Sequence, residues 1–149
     1  GYGIGRIGCF FVGDDYGIPT QLPWGIIFEN GLPPTTYHSF QFNYPWISLD
    51  GYDPGLLSVY PTQLMETAIA FCIFGYLWSR REKIGFDGQL FFTYLILAGF
   101  ERFFIEFIRT NIKYIGGLTG SQIISIFMIC IGVYFLRFNR QVNEPEPSG

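Results

Sequence analysis

The sequence predicts an all-α polytopic membrane protein, a transmembrane helix bundle that carries a small irregular or β-hairpin extramembrane head. Three observations predict it. The 149 residues are 49% hydrophobic and 20% aromatic with 14% charged, and the mean hydropathy is +0.27, which is apolar for a water-soluble domain. Apolar stretches of spanning length recur in the later part of the chain. Between them and a short apolar start lies a proline-rich, polar-aromatic segment that does not fit inside hydrocarbon.

A helix needs about 20 mostly apolar residues to cross roughly 30 Å of hydrocarbon. Residues 1–12 read as the end of one transmembrane helix, and residues 62–138 as three more. Thr119–Phe138 has no charge before Arg137 and is the clearest span. Thr62–Ser79 is apolar after its first turn and runs into Arg80, Arg81, Glu82 and Lys83. Gly88–Arg109 differs, because Glu101, Arg102, Glu106 and Arg109 follow an apolar first half. Charges at membrane depth are costly and face a protein interior or a watery cavity, which makes them functional candidates. The alternative is a helix that leaves the membrane near Phe100 with an ordinary i,i+4 pair outside it. Phe103, Phe104, Ile105, Phe107 and Ile108 weigh against that alternative.

Basic residues flanking short loops set orientation. Arg80, Arg81, Lys83, Arg137 and Arg140 place their ends on the cytoplasmic side; Arg109 and Lys113 on the outer loop weaken the asymmetry without reversing it. The head, residues 13–61, then lies on the outer, periplasm-like side, and the tail, 139–149, reads as disordered and cytoplasmic. The prolines at 19, 23, 33, 34, 45 and 54 exclude helix from the head in this reading. Trp24–Glu29 is a strand candidate, and Asn30-Gly31 a tight-turn signal, so a small hairpin is expected. Trp24, Trp46 and the tyrosines suit the lipid headgroup layer. Residue 1 is Gly rather than Met, so an upstream segment is expected; with no signal-peptide pattern, targeting is expected to rest on the helices.

Net charge is −3 and the pI about 5.0, so no basic field exists for a nucleic-acid partner. Cys9, Cys72 and Cys130 all lie in apolar stretches and read as small hydrophobes rather than a disulfide framework. No Cys/His cluster has metal-ligand spacing. His38 is the single histidine and reads as a solvated loop residue, while Asp14 and Asp15 beside Gly13 read as turn-formers.

Gly3-Ile4-Gly5-Arg6-Ile7-Gly8 satisfies G-x-G-x-x-G, but no βαβ unit surrounds it, so a dinucleotide site is rejected. Gly1, Gly5 and Gly8 instead form a small-residue stripe suited to close helix approach. Arg6 lies in this glycine-lined segment. Arg102 and Arg109 lie at the outer end of another helix, and Glu106 shares a face with both at i,i+4 and i,i+3 spacing. Guanidinium forks match phosphate oxygens, so two arginines converging at one leaflet suit a phospholipid headgroup. A buried ion-pair ladder that fixes helix packing accounts equally well for these residues.

The motifs resemble one family. Gly5-Arg6-Ile7-Gly8-Cys9-Phe10 with Gly13-Asp14, Tyr60-Pro61-Thr62-Gln63-Leu64-Met65-Glu66, Arg102-Phe103-Phe104-Ile105-Glu106-Phe107 with Arg109, and Gly120-Ser121-Gln122 with Ser125 resemble, in order, four segments of the prolipoprotein diacylglyceryl transferases. Departures from that pattern are Cys9 and Val12 for Asn, Asp14 for Glu, Tyr60 for His, and Ala98 for Tyr. The family's His-Gly-Gly segment is expected upstream of Gly1. The resemblance implies a multi-pass enzyme of the bacterial cytoplasmic (inner) membrane, C-terminus cytoplasmic, that needs no cofactor. Such an enzyme moves the diacylglyceryl group of phosphatidylglycerol onto the lipobox cysteine of a prolipoprotein signal peptide. It implies Arg6, Arg102 and Glu106 as catalytic, with the arginines on phosphate and Glu106 orienting Arg102. It further implies Gly8, Gly13, Asp14, Gln63 and Arg109, together with Arg6 and Arg102, as substrate-binding. The departures leave a second expectation, a non-catalytic member that holds lipid or packs against other membrane subunits. Transport is a third option, because buried charges also line ion paths.

Overall fold

The computed structural model describes residues 1–112 and 117–143. Its order is α1 (Tyr2–Val12), α2 (Tyr37–Asn43), α3 (Thr62–Arg80), α4 (Gln89–Ile105), a 3₁₀ turn (Glu106–Ile108) and α5 (Gly120–Asn143). α1 packs on α3, α3 on α4, and α4 on α5. Among the described residues, the helical stretch Gly120–Asn139 is long and apolar enough to cross a membrane by itself, and Tyr2–Val12 is a shorter apolar helix. α4, at 17 residues, is about 26 Å long at 1.5 Å per residue. Lys113 and most of the expected tail lie outside the described residues, and α5 continues past Phe138 to Asn143.

Small residues bring the helices together. A Cβ at Gly99 would stand 2.7 Å from Ile129 Cγ1 and 3.0 Å from the Ser125 carbonyl, and one at Gly132 would stand 2.6 Å from Ile96 Cγ1. These two glycines let α4 and α5 approach closely, and Phe92 stacks on Phe135 beside them at 4.9 Å between centroids. The expected stripe of Gly1, Gly5 and Gly8 takes no such part, since a Cβ at any of the three meets nothing within 4 Å. Gly3 makes the α1–α3 contact instead, 3.4 Å from Ala70 Cβ, and its carbonyl accepts from Thr67 Oγ1 at 3.1 Å. At 100° per residue, Gly3 lies on the helix face opposite that stripe.

The helix ends are set by local chemistry. Gly13, at φ 69°, caps α1 as its amide and that of Asp14 return to the Cys9 carbonyl, a left-handed cap that glycine adopts without Cβ cost. α5 begins with a reciprocal capping box, in which Thr119 N–H donates to Gln122 Oε1 at 3.0 Å and Gln122 N–H to Thr119 Oγ1 at 3.3 Å.

The head differs from expectation in two ways. The described residues contain no named strand, only isolated bridges, and Ile26 pairs with Val59 rather than across a local hairpin. Gly31 N–H does turn back to the Phe28 carbonyl, and Phe28 and Thr35 close a compact loop around it, but the cross-chain pairing goes to residues just before α3. The second difference is α2, a helix where none was expected. Residues 35–44 contain no proline, and Thr36 Oγ1 caps them by accepting from Ser39 N–H at 3.2 Å. Tyr16, Phe40, Leu49, Leu57 and Val59 form the head's buried core. Tyr16 is thus a core residue rather than a headgroup anchor; its hydroxyl donates to the Pro33 carbonyl at 2.6 Å, and burial pushes the phenol up from its ordinary value. Trp24 remains exposed, while Trp46 ties the head to the helices by donating from Nε1 to the Thr110 carbonyl at 2.9 Å.

Replacing Gly99 or Gly132 with Leu should cost about 1–3 kcal/mol through overpacking, whereas Gly5→Ala should be close to neutral. Thermal unfolding of the detergent-solubilised protein measures the difference. Equal losses at all three positions would show that the α4–α5 crossing is not set by these glycines.

Candidate functional site

Four charged side chains from separate segments meet where the helices reach the head. Arg6 of α1 donates from Nη1 to Asp15 Oδ2 at 2.9 Å, and its Nε is in close ion contact with Glu66 Oε2 of α3. Arg109, just past the 3₁₀ turn, reaches Asp15 Oδ1 from Nη2 at 2.9 Å and approaches Glu66 Oε1 from Nη1 at 3.7 Å. Two guanidinium groups and two carboxylates therefore alternate in one cluster. Glu66 is 0% exposed, and Arg6 7%. Charges this deep persist only when paired and hydrogen-bonded.

The backbone carries these groups into register. Asp15 takes φ 54°, a left-handed conformation that Asp tolerates better than most residues, directly after the Gly13 cap. Its carbonyl accepts from Thr62 Oγ1 at 2.9 Å, and the Asp14 carbonyl accepts from Gln63 Nε2. The first turn of α3 thereby holds the Asp14–Asp15 turn. Arg109 is positioned by the chain pairing of Gly17 with it and by Ile18 N–H donating to the Ile108 carbonyl at 2.8 Å. A Cβ on Gly17 would stand 2.5 Å from that carbonyl, so the approach requires glycine.

This geometry changes the expected face of α4. The α-helix stops at Ile105, the next three residues form a 3₁₀ turn, and Arg109 is extended at φ −86° and ψ 160°. The i,i+3 relation between Glu106 and Arg109 presumed an unbroken α-helix. Glu106 instead accepts from Asn111 Nδ2 at 2.8 Å, and among the described residues it has no ion pair with Arg102 or Arg109. Arg102 makes no ion pair among the described residues either; its guanidinium lies 6.0 Å from the Tyr2 ring centroid. Arg6 and Arg102 both act electrostatically on Tyr2, as do Glu66 and Glu101.

The remaining expected site residues divide. Gln63 is fully buried with Oε1 unpartnered, and Asp14 Oδ1 and Arg6 Nη2 are likewise buried without a hydrogen-bond partner. Those atoms leave hydrogen-bonding capacity open at the cluster. Gly13 serves as a helix cap, where a Cβ would lie 2.9 Å from Gly31 Cα. Gly8 is exposed, with open space around it. His38 is exposed on α2. Sequence reasoning named Glu101 only as one of the charges at membrane depth, and missed Glu66 and Asp15 as site residues. A carboxylate inside an otherwise apolar helix was the available signal for Glu66 and Glu101, while Asp15 had none beyond its neighbour Gly13.

Beside the cluster a cleft of about 390 Å³ opens between α1, α3 and α4, with Tyr2, Ala70, Phe74, Leu77, Ala98 and Glu101 among its lining. Its walls are apolar except at Tyr2, Tyr94 and Glu101. The cleft is an apolar space large enough for one alkyl chain but too small for a helix about 10 Å across.

Burial raises the Asp15 carboxyl, but the Arg6 hydrogen bond and the charges of Arg109 and Arg6 outweigh it and hold the group below the usual Asp range. Its contribution to stability is thus fully present above about pH 4 and lost as pH falls through the lowered native value. Asp15→Asn should flatten part of the acid-side fall in Tm between pH 7 and pH 3, with a cost at neutral pH of about 1 kcal/mol or less because the carboxylate is half exposed. Glu66→Leu should cost about 3–5 kcal/mol, since it leaves Arg6 buried beside fewer negative charges. Melting curves that leave Glu66→Leu as stable as the parent protein would rule out the cluster as a stabilising element.

The sequence comparisons agree with the motifs. The family described as Prolipoprotein diacylglyceryl transferase matches residues 1–138. The phosphatidylglycerol–prolipoprotein diacylglyceryl transferase of Finegoldia magna is 36% identical over 150 residues, covering 98% of this chain and 49% of that protein. The Clostridium tetani protein of the same name is 33% identical over 140 residues, 93% of this chain and 48% of its own length. A Prochlorococcus marinus protein, also so named, is 30% identical over 165 residues, 100% of this chain and 50% of its own. The chain thus spans about half the length of these relatives. No solved structure matches it. With nearly its whole length matched, and with the motif residues Arg6, Gln63 and Glu66 gathered at one buried site, the chain belongs to the prolipoprotein diacylglyceryl transferase family.

Proposed function

We propose that this chain supplies the phosphate-binding part of a multi-pass bacterial inner-membrane enzyme. That enzyme transfers the diacylglyceryl group of phosphatidylglycerol to the lipobox cysteine thiol of a prolipoprotein. The observation that carries the reading is Arg102, which has no ion pair among the described residues and lies against the ring of Tyr2, a residue that lines the apolar cleft. An arginine without a carboxylate partner in so apolar a setting retains its donor fork for an anion. Arg6 keeps one buried donor, Nη2, unpartnered. The cleft suits an alkyl chain of the same lipid, and the head, 13–61, would roof the site on the outer side. The relatives' shared name supports the substrates.

The chemistry fits these groups. A thiolate attacks the glyceryl carbon, a sulfur–carbon bond forms, and the carbon–oxygen bond to phosphate breaks. Its electron pair leaves on the oxygen of glycerol phosphate, so negative charge grows at the phosphate, where guanidinium groups stabilise the transition state more than the ground state. Gln63 and Asp14 would fix the mouth of the site, and Glu66 and Asp15 would set the orientation of Arg6 and Arg109.

The second reading is a non-catalytic, lipid-holding subunit of a membrane complex. The matched charges favour it, since Arg6 and Arg109 already face Asp15 and Glu66.

Native mass spectrometry of the full-length protein counts retained phosphatidylglycerol. Arg102→Leu should abolish retention, and Arg102→Lys should weaken it less, because charge remains while the fork is lost. Unchanged occupancy in a folded Arg102→Leu protein removes the phosphate site. Rescue of a transferase-deficient strain by the full-length gene supports the enzyme. Failure of rescue, with co-purification of other membrane subunits at fixed stoichiometry, supports the second reading.

A further inference from the structure

α3 runs 19 residues from Thr62, beside the charged cluster, to Arg80, about 28 Å at 1.5 Å per residue. That length matches the roughly 30 Å of a bilayer's hydrocarbon. On the multi-pass reading argued above, Arg80 therefore lies at the membrane surface opposite the head. The chain turns there toward α4, and Lys83 N–H returns to the Arg80 carbonyl at 2.9 Å. The turn carries Arg80, Arg81 and Lys83 against Glu82 and Asp87. Positive charge at such a turn suits membrane orientation, but orientation requires no particular arrangement of the side chains.

These side chains are arranged. Arg81 Nη2 donates to Glu82 Oε1 at 3.2 Å, and the Arg81 guanidinium lies 4.0 Å from the Trp78 ring centroid. Glu82 is thus taken up by Arg81. Arg80 and Lys83 make no ion pair among the described residues, and both line a small cavity of about 60 Å³ where the end of α3 meets the start of α4. No carboxylate is in its lining. The Arg80 guanidinium lies 5.5 Å from the Tyr76 ring centroid; a ring supplies no lone-pair acceptor, so the N–H groups keep their capacity for one. Gln89, also in the lining, accepts from Gly85 N–H through Oε1 at 2.7 Å, which leaves its amide nitrogen as a further donor.

We infer that the α3–α4 turn binds the headgroup of an anionic phospholipid in the leaflet opposite the head, at a site distinct from the phosphate site proposed at Arg102. Basic pockets between helices at a membrane surface hold anionic headgroups. Arg80 and Lys83 neutralise the phosphate, and Gln89 donates to one of its oxygens. The cavity has room for a few waters, which is the scale of one phosphate group and not of a peptide. Tyr76 and Trp78, both exposed, place it in the headgroup layer, where such rings concentrate. The inference rests on the membrane reading above and not on catalysis.

The test uses native mass spectrometry of the full-length protein in detergent, with phosphatidylserine as the anionic lipid and phosphatidylcholine as the neutral one. Neither carries the glycerol headgroup of the proposed substrate. The parent protein should retain phosphatidylserine in preference to phosphatidylcholine, and inorganic phosphate should not displace it. Replacing Arg80 and Lys83 together with Gln should weaken retention roughly 30-fold, the contribution of two basic residues near anionic lipid. Arg80→Lys with Lys83→Arg should preserve it. Arg81→Gln with Arg137→Gln removes the same charge outside the cavity and should leave retention within about threefold, because exposed charges are screened. Arg102→Leu should leave phosphatidylserine bound. Equal losses in the two charge-matched double variants would reduce the effect to bulk charge and overturn the site. Displacement by inorganic phosphate, equal retention of both lipids by the parent protein, or loss of phosphatidylserine with Arg102 alone would each overturn it as well. Binding rather than transfer is read, so a protein that retains this lipid but transfers nothing would overturn the proposed enzyme and leave the site standing.

Discussion

The alternation of Arg6, Glu66, Asp15 and Arg109 is the constraint on which the rest of the structure turns. Four ionised groups at the end of an apolar helix bundle are tolerable only as a matched set, because removing one leaves its partner's charge uncompensated in a medium that screens poorly. The matching dictates geometry far from the side chains themselves. α1 must end at Gly13 so that Asp15 can turn back toward Arg6. α4 must give way to a 3₁₀ turn and an extended Arg109, and Gly17 must lack a side chain so that the head can pair with that segment. The cluster is consequently both a joint between head and helices and the floor of the candidate site.

The helix packing that surrounds it separates tight contacts from open ones. Gly99 and Gly132 remove side chains where α4 meets α5, and Gly3 does the same where α1 meets α3. Between α1, α3 and α4 the short side chains Ala70 and Ala98 leave space, and the large ones, Phe74 and Tyr94, stand at its margin. A cleft results where an apolar bundle of this composition would otherwise close. Glu101, whose Oε1 is buried without a partner, is among its lining, and Gln63, Asp14 and Arg6 carry further unpartnered buried atoms at the charged cluster. Such unmet hydrogen-bonding capacity marks the charged cluster as a candidate site, since buried polar atoms are ordinarily satisfied.

The head shows how a proline-rich segment folds without a sheet. Prolines at 33, 34 and 45 bracket α2, and the aromatic core of Tyr16, Phe40 and Tyr44 supplies the burial that isolated bridges alone do not. Its attachment is dispersed: the Trp46 indole to Thr110, Ile26 to Val59, and the Asp14–Asp15 turn to the start of α3.

The sequence by itself determined the four longer helices with their near boundaries, the proline-rich head between them, and the family, because apolar runs, prolines and motif spacing act locally and are read in chain order. It also singled out Arg6, Arg102 and Arg109 as charges out of place in apolar surroundings. What it did not determine were the partners. The expected ladder of Arg102, Glu106 and Arg109 followed from helical spacing, but a contact with the head ends the helix first. Asp15 read as a turn-former and is one, yet its carboxylate also bridges two arginines that lie 103 residues apart in sequence. The glycine stripe at 1, 5 and 8 had the right period and faced the wrong side. Only the tertiary structure decided these points, for one physical reason: pairing between buried charges is fixed by which helices and loops pack together, and that packing is a property of the whole chain rather than of any segment's period.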